Sequence, residues 1–327
     1  MTHHSHGTGA VHTVWDHALP PALTVGSGDT VTLHTLDASD GGVARRVANG
    51  ELNAPPELLP LIVADAHPER PGPRGHPLTG PVHVRGAQPG DALRLEILDV
   101  RTAAWGWTGC RPDGIGLLDA ALAAEGLTAH THFWDLRAGT HTDFRPGIRL
   151  PLAPFPGVIG VAPAAPGAHP TAPPRHVGGN MDIRQLVTGS TLWLPVEVPG
   201  ALLSAGDLHG AQGDGEVRGT GIETAGQLTL RVHVEPQAGI TTPEFATPTP
   251  GGHSRAWHAT TGHHPDLMEA ARTALRATLR RLQARGLSLE DAYILASACV
   301  DLKISQIVDA PNYTVSAFLP LDIFGED

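Results

Sequence analysis

Cysteine is almost missing from this chain: Cys110 and Cys299 stand far apart, so they build neither a disulfide framework nor a C-x-x-C metal knuckle. A reduced, cytoplasmic setting suits such a chain, and both thiols are expected to be buried rather than reactive. Aromatic residues are scarce as well, at 4%, and only Trp193 lies near the polar clusters described below. That weighs against a carbohydrate-binding surface, which needs ring platforms. Charged residues reach 17%, with a formal net charge of −11 and no cluster of Lys and Arg. Counterion release has nothing to act through, so no nucleic-acid partner is expected, and an anionic substrate is disfavoured. No apolar run approaches the ~18 residues that span a bilayer, and the N-terminus lacks the basic-then-apolar order of a signal peptide. No membrane partner is expected. There is no G-x-S-x-G elbow, and no G-x-G-x-x-G or G-x-x-x-x-G-K-[ST] in a strand-to-helix context, so neither a serine nucleophile nor a nucleotide cofactor is implied.

Glycine (39) and proline (30) are abundant instead, about a fifth of the 327 residues. This favours many short strands joined by ordered turns over a helical bundle. At 41% hydrophobic the chain can bury a large core, and residues 11–327 are read as one domain behind a polar, His-bearing leader (1–10) expected to be disordered. Residues 11–100 alternate as strands do, plainly in T-V-T-L-H-T-L (30–36) and L-R-L-E-I-L (93–98). Residues 101–177 carry mostly loop signals, with a short helix possible from Leu117 to Glu125, and read as an insertion able to cap a site. Residues 178–236 hold the polar clusters and a strand from Gln227 to Val234. After an irregular link over 240–265, Leu267, Ala270, Ala274, Leu275, Thr278 and Leu282 recur at helical spacing; Gly286 ends that helix, and Ser288 with Asp291 opens a second like a capping box. Terminal strands complete the region 265–324. The fold class is α+β: a β-rich body of short strands, sandwich- or barrel-like, with a C-terminal helical hairpin.

The chemistry gathers in A-G-D-L-H-G-A-Q-G-D-G-E, from Ala205 to Glu216. Asp207 and His209 are two apart, so on a strand they share a face and offer one cation an oxygen and a nitrogen, a set that suits Zn²⁺. Gln212, Asp214 and Glu216 repeat that spacing. So many polar groups beside an apolar stretch (Leu192 to Leu203) are costly unless something binds them. A second cluster, Gly178-Gly179-Asn180-Met181-Asp182, adds Asp182 as a further ligand candidate. Its paired glycines expose backbone N–H groups suited to a carbonyl oxygen turning anionic. If the apolar stretch is a strand with a short return, both loops lie at neighbouring ends of it. The acidic turn D-A-S-D-G (37–41), with His12 and Asp16 nearby, could hold Ca²⁺ as a second site, though Asp, Ser and Gly also make plain turns. His76 is a lone imidazole beside a fixed turn, and Ser305, Gln306, Asp309 and Asn312 could support the site from behind.

Read together, W-D-H-A-L-P-P-A-L-T-V (15–25), H-P-L-T-G-P-V-H-V (76–84), P-F-P-G-V-I-G-V-A-P-A (154–164), G-G-N-M-D-I-R-Q-L (178–186), the 205–216 run and I-S-Q-I-V-D (304–309) resemble the acetamidase/formamidase family. The resemblance implies hydrolysis of a short amide to carboxylate and ammonia, a β-rich fold with a few helices, a divalent metal and a homo-oligomer such as a dimer. On that footing Asp182, Asp207 and His209 are the expected metal ligands and Glu216 the general base, with Asp214 as its substitute. Asn180 and the Gly178/Gly179 backbone would steady the oxyanion, and Gln212 would orient the amide. The competing reading is a non-catalytic protein binding a metal or small ligand on the same scaffold.

Overall fold

A computed structural model describes residues 1–112, 114, 116–247 and 256–324. Part of the irregular link expected over 240–265 lies outside the described residues, and the described part is not irregular: it holds the strands Glu244–Ala246 and Trp257–His264, which pair with each other. Strand-forming sequence dominates, and most of it enters two nine-stranded sheets that do not close into a barrel. The first runs His3–His6, Thr30–Thr35, Gly226–Glu235, Ala92–Thr102, Thr191–Pro195, Glu244–Ala246, Trp257–His264, Tyr313–Pro320, Asp301–Gln306. The second runs Gly178–Asn180, Phe155–Gly160, Leu203–His209, Glu223–Thr224, Trp105–Cys110, His130–Asp135, with Leu78–Val84 branching from Leu203–His209 and itself pairing with Val11–His12 and Leu23–Val25.

Alternation explains the layering. In Gly226–Glu235, Leu228, Leu230 and Val232 are fully buried while the residues between them are not. Those three side chains share one core cluster with Leu93, Leu95 and Ile97 of the first sheet and with Phe155, Ile159, Leu203 and Leu208 of the second. The interior is thus sandwich-like, and the strand carrying Asp207 and His209 is packed at its centre.

The helical hairpin forms where periodicity placed it. Leu267–Ala284 starts at Asp266, whose side chain accepts from the Met268 and Glu269 N–H groups, and Leu289–Cys299 starts at Ser288, which accepts from Asp291 N. The longer helix buries Ala270, Ala274 and Ala277, small residues that let it lie close against Trp257–His264.

Other expectations fail too. The leader is not disordered: His3–His6 adds a parallel strand beside Thr30–Leu33, and Thr2 N donates to Asp29 Oδ1 at 2.7 Å. The segment 101–177 is not loop-rich either. It supplies Trp105–Cys110, His130–Asp135, His141–Arg145, Ile148–Pro151 and Phe155–Gly160, short strands of which the first and the last two are disguised by Gly or Pro. Only Asp119–Ala124 forms the helix expected there. Cys110 and Cys299 are half-buried rather than buried.

Candidate metal centre

Strand pairing gathers the site. Leu203–His209 is buried along its whole length and pairs with Phe155–Gly160 on one side, placing His209 opposite Phe155. On its other side His209 pairs with Glu223. After Gly178–Asn180 the chain bends round the Gly157 carbonyl, which accepts from Met181 N at 3.1 Å and Asp182 N at 3.3 Å, and this delivers the Asp182 carboxylate beside His209. Glu216 arrives from a turn fixed by Gly215, whose N–H donates to Ser305 O and whose carbonyl accepts from Ile307 N. Asp182, Asp207 and Glu216 have φ of 47°, 53° and 44°, three of the seven non-glycine residues with positive φ among the described residues. Such strain persists only where the surroundings over-determine it, and it concentrates at functional sites.

Four carboxylates surround one imidazole, and a fifth, that of Asp309, adjoins Asp182. His209 Nε2 lies 2.9 Å from Glu223 Oε1, the same oxygen accepts from Gly221 N at 2.7 Å, and Glu216 Oε1 lies 3.6 Å from Nε2. On the other side Nδ1 is 3.8 Å from Asp182 Oδ1. Asp182 and His209 are each 1% exposed, and Asp207, Glu216, Glu223 and Asp309 are buried. Burial pushes Asp182, Glu216 and Asp309 up from their ordinary range, with the neighbouring carboxylates adding to the shift of Glu216 and Asp309. Burial also takes Glu223 to about 8, although His209 opposes it. Burial works on Asp207 in the same direction, yet the His209 and His76 imidazoles hold it below its usual value. For His209 burial is outweighed by Glu223, Asp207 and Asp182, and the imidazole is held well above its usual value. A single imidazolium does not balance this many acids.

Ligand atoms are left over. Both Asp182 oxygens, Asp207 Oδ1, His209 Nδ1, Glu223 Oε2, Asp309 Oδ2, Asn180 Oδ1 and Gln212 Oε1 are buried without a hydrogen-bond partner. Each would cost a few kcal/mol if left so. A Cβ on Gly157 would stand 2.6 Å from Asp182 Oδ1 and 2.7 Å from His209 Nδ1, so the glycine keeps the space between them open. Two donors each ~2.1 Å from one ion span at most about 4.2 Å, and 3.8 Å falls inside that limit. Asp182, His209 and Glu216 form one ligand group with atoms within 4.8 Å of one another, and Asp207, His209 and Glu223 form another. The donor set fits a divalent cation.

Of the residues expected from sequence, Asp182, Asp207, His209 and Glu216 come together. Asn180 is buried opposite Val158, and Gln212 braces the turn by donating from Nε2 to Asp182 O at 2.9 Å. Asp214 does not join them. Because 211–216 is a turn rather than a strand, its alternate residues diverge, and the Asp214 carboxylate is exposed and accepts from Gln185 Nε2 at 2.9 Å. The Gly178 N–H donates to Arg175 O at 3.0 Å and is not free for an oxyanion. Asp37 is bound within its own turn: it accepts from Gly41 N at 2.8 Å, Ser39 Oγ at 2.5 Å and Trp107 Nε1 at 2.8 Å. Asp40 lies 3.1 Å from the Arg70 guanidinium, and His12 is bound to Val14 O and Ser204 Oγ. Sequence reasoning missed Glu223 and Gly157. Glu223 carries no local signal, since only the pairing of Glu223–Thr224 with Leu203–His209 sets it against the imidazole.

A buried carboxylate–imidazole centre on a two-sheet scaffold can hold a cation, and comparison with known proteins specifies the class of protein it belongs to. The Acetamidase/Formamidase family profile matches residues 2–166 and 164–326. A formamidase of Methylophilus methylotrophus is 30% identical across 98% of this chain and 90% of its own length. The crystal structure of an acetamidase from Bacillus halodurans superposes with a TM-score of 0.81 at 33% identity over 98% of both chains. That of a predicted acetamidase/formamidase from Thermoanaerobacter tengcongensis gives 0.82 at 29% identity over 98% of this chain and 97% of that one. The chain belongs to the acetamidase/formamidase family of amide-cleaving hydrolases.

Proposed function

We infer that the protein is a metal-dependent amidohydrolase that cleaves a short aliphatic amide, of formamide or acetamide size, to carboxylate and ammonia. One observation carries this reading: four buried carboxylates gather round His209, with Asp309 behind Asp182, and oxygens of Asp182, Asp207, Glu223 and Asp309 are left unpartnered. Asp182, Asp207 and His209 are the proposed ligands, and zinc is the favoured ion for their oxygen and nitrogen donors. A bound Zn²⁺ polarises a carbonyl and brings the pKa of its water to about 7.

The chain's own residues do the rest. Glu216 is the general base: it takes the proton of the attacking water as the C–O bond forms and gives a proton to nitrogen as the C–N bond breaks. Gln212, held by its Nε2, turns an unpartnered Oε1 towards the site and can accept an amide N–H. Asn180 orients the substrate carbonyl. Burial of every one of these groups favours a small substrate.

The decisive measurement is ammonia release from formamide, acetamide and larger amides, before and after chelation and with Zn²⁺, Mn²⁺ or Ca²⁺ restored. Release that disappears on chelation and returns with metal supports the reading. Tight metal binding with no ammonia from any amide would make this a binding protein instead. We further propose a cytoplasmic homo-oligomer, a dimer in the simplest case, supported by the exposed Tyr293, Ile294, Leu302 and Ile304 on the last long helix and the outermost strand. Light scattering of a monomer would remove that assignment.

A further inference from the structure

The two ligand groups at the centre share His209, whose two ring nitrogens stand in different surroundings. Nε2 is committed. It lies 2.9 Å from Glu223 Oε1, and that oxygen is itself pinned by the Gly221 N–H at 2.7 Å. The contact comes from strand register, with His209 and Glu223 directly paired, rather than from a freely turning side chain. The ring is also gripped: Phe155 stacks on its face at 5.0 Å and 25°, and a Cβ on Gly221 would come within 2.9 Å of Cδ2. Nδ1 is the opposite case, buried, unpartnered and 3.8 Å from Asp182 Oδ1, across a space that only a glycine at 157 leaves open.

We propose that His209 presents Nδ1 as its ligand atom, that Glu223 is the positioning residue fixing this choice by holding the proton on Nε2, and that Gly157 provides the room for it. Glu223 then supports the ion without touching it, as a carboxylate behind a ligating imidazole orients the ring and raises its basicity. This rests on the metal reading above.

The test uses the full-length protein, stripped of metal, labelled with ¹⁵N-histidine and loaded with ¹¹³Cd²⁺. The His209 resonances are identified by their loss in His209→Gln. Long-range ¹H–¹⁵N correlations are expected to show cadmium coupled to Nδ1 and a proton on Nε2. In Glu223→Gln, which keeps an acceptor but not the charge, cadmium affinity is expected to fall about 10- to 100-fold with the fold intact, and Gly157→Ala is expected to lose the coupling. Cadmium coupled to Nε2 overturns the assignment while leaving a metal centre. Unchanged affinity in Glu223→Gln removes the positioning role. No cadmium on His209 in the unsubstituted protein removes the metal reading as well.

Discussion

Glu216 combines a buried carboxyl, a φ of 44° and a place 3.6 Å from the His209 ring. Glu216→Gln preserves the shape and removes the base, so kcat is expected to fall by at least about 100-fold while bound metal, measured by elemental analysis, is retained. A substitution that leaves kcat unchanged would strip Glu216 of its role. His263, which is not one of the groups at the centre, is half-buried with its nitrogens 3.1 Å from Thr261 Oγ1 and Thr314 Oγ1, and burial holds its pKa down to about 3. The folded state keeps this ring neutral while the unfolded chain protonates it near 6.5, so its contribution to stability is complete above ~6.5 and is lost as pH falls towards 3. The slope cannot exceed about 1.4 kcal/mol per pH unit. Urea titrations between pH 7 and 5 should show that slope reduced in His263→Gln. Asp207, His209 and Asp182 were legible because glycine-rich acidic runs are costly without a ligand. Glu223 was not, because its meaning depends on which strand lies beside it.

At the level of elements, the hairpin helices were legible because their signals are local: a period of apolar residues, an acidic or hydroxyl cap, a glycine stop. The strands between 105 and 160 were hidden because Trp105–Cys110 and Phe155–Gly160 contain Gly or Pro, which read as turns until a partner strand is present. Helix and sheet meet at one tight point. A Cβ on Gly262 would fall 2.0 Å from Ala270 O and 2.8 Å from Ala274 N, both backbone atoms of the long helix. Gly262→Ala therefore forces the helix away from its strand and should cost about 1–3 kcal/mol, read as a lower urea midpoint. The same change at Gly213, where a Cβ meets nothing within 4 Å, is the control and should shift the midpoint little.

For the molecule as a whole, the centre is a concentration of buried acidic groups inside a chain whose formal charge is already −11. A cation that binds only the folded form stabilises it by about 2.7 kcal/mol when free metal is 100-fold above its Kd. Chelation should lower Tm by several degrees and restored metal should recover it, in parallel with amide hydrolysis. An identical Tm in both states would argue that no ion binds there. The centre also draws on distant parts of the sequence. Gly215 is bridged to Gln306, and Asp309 closes on Asp182 from the same stretch. Synthesis must therefore run past Asp309 before every acidic group of the centre is present in the chain.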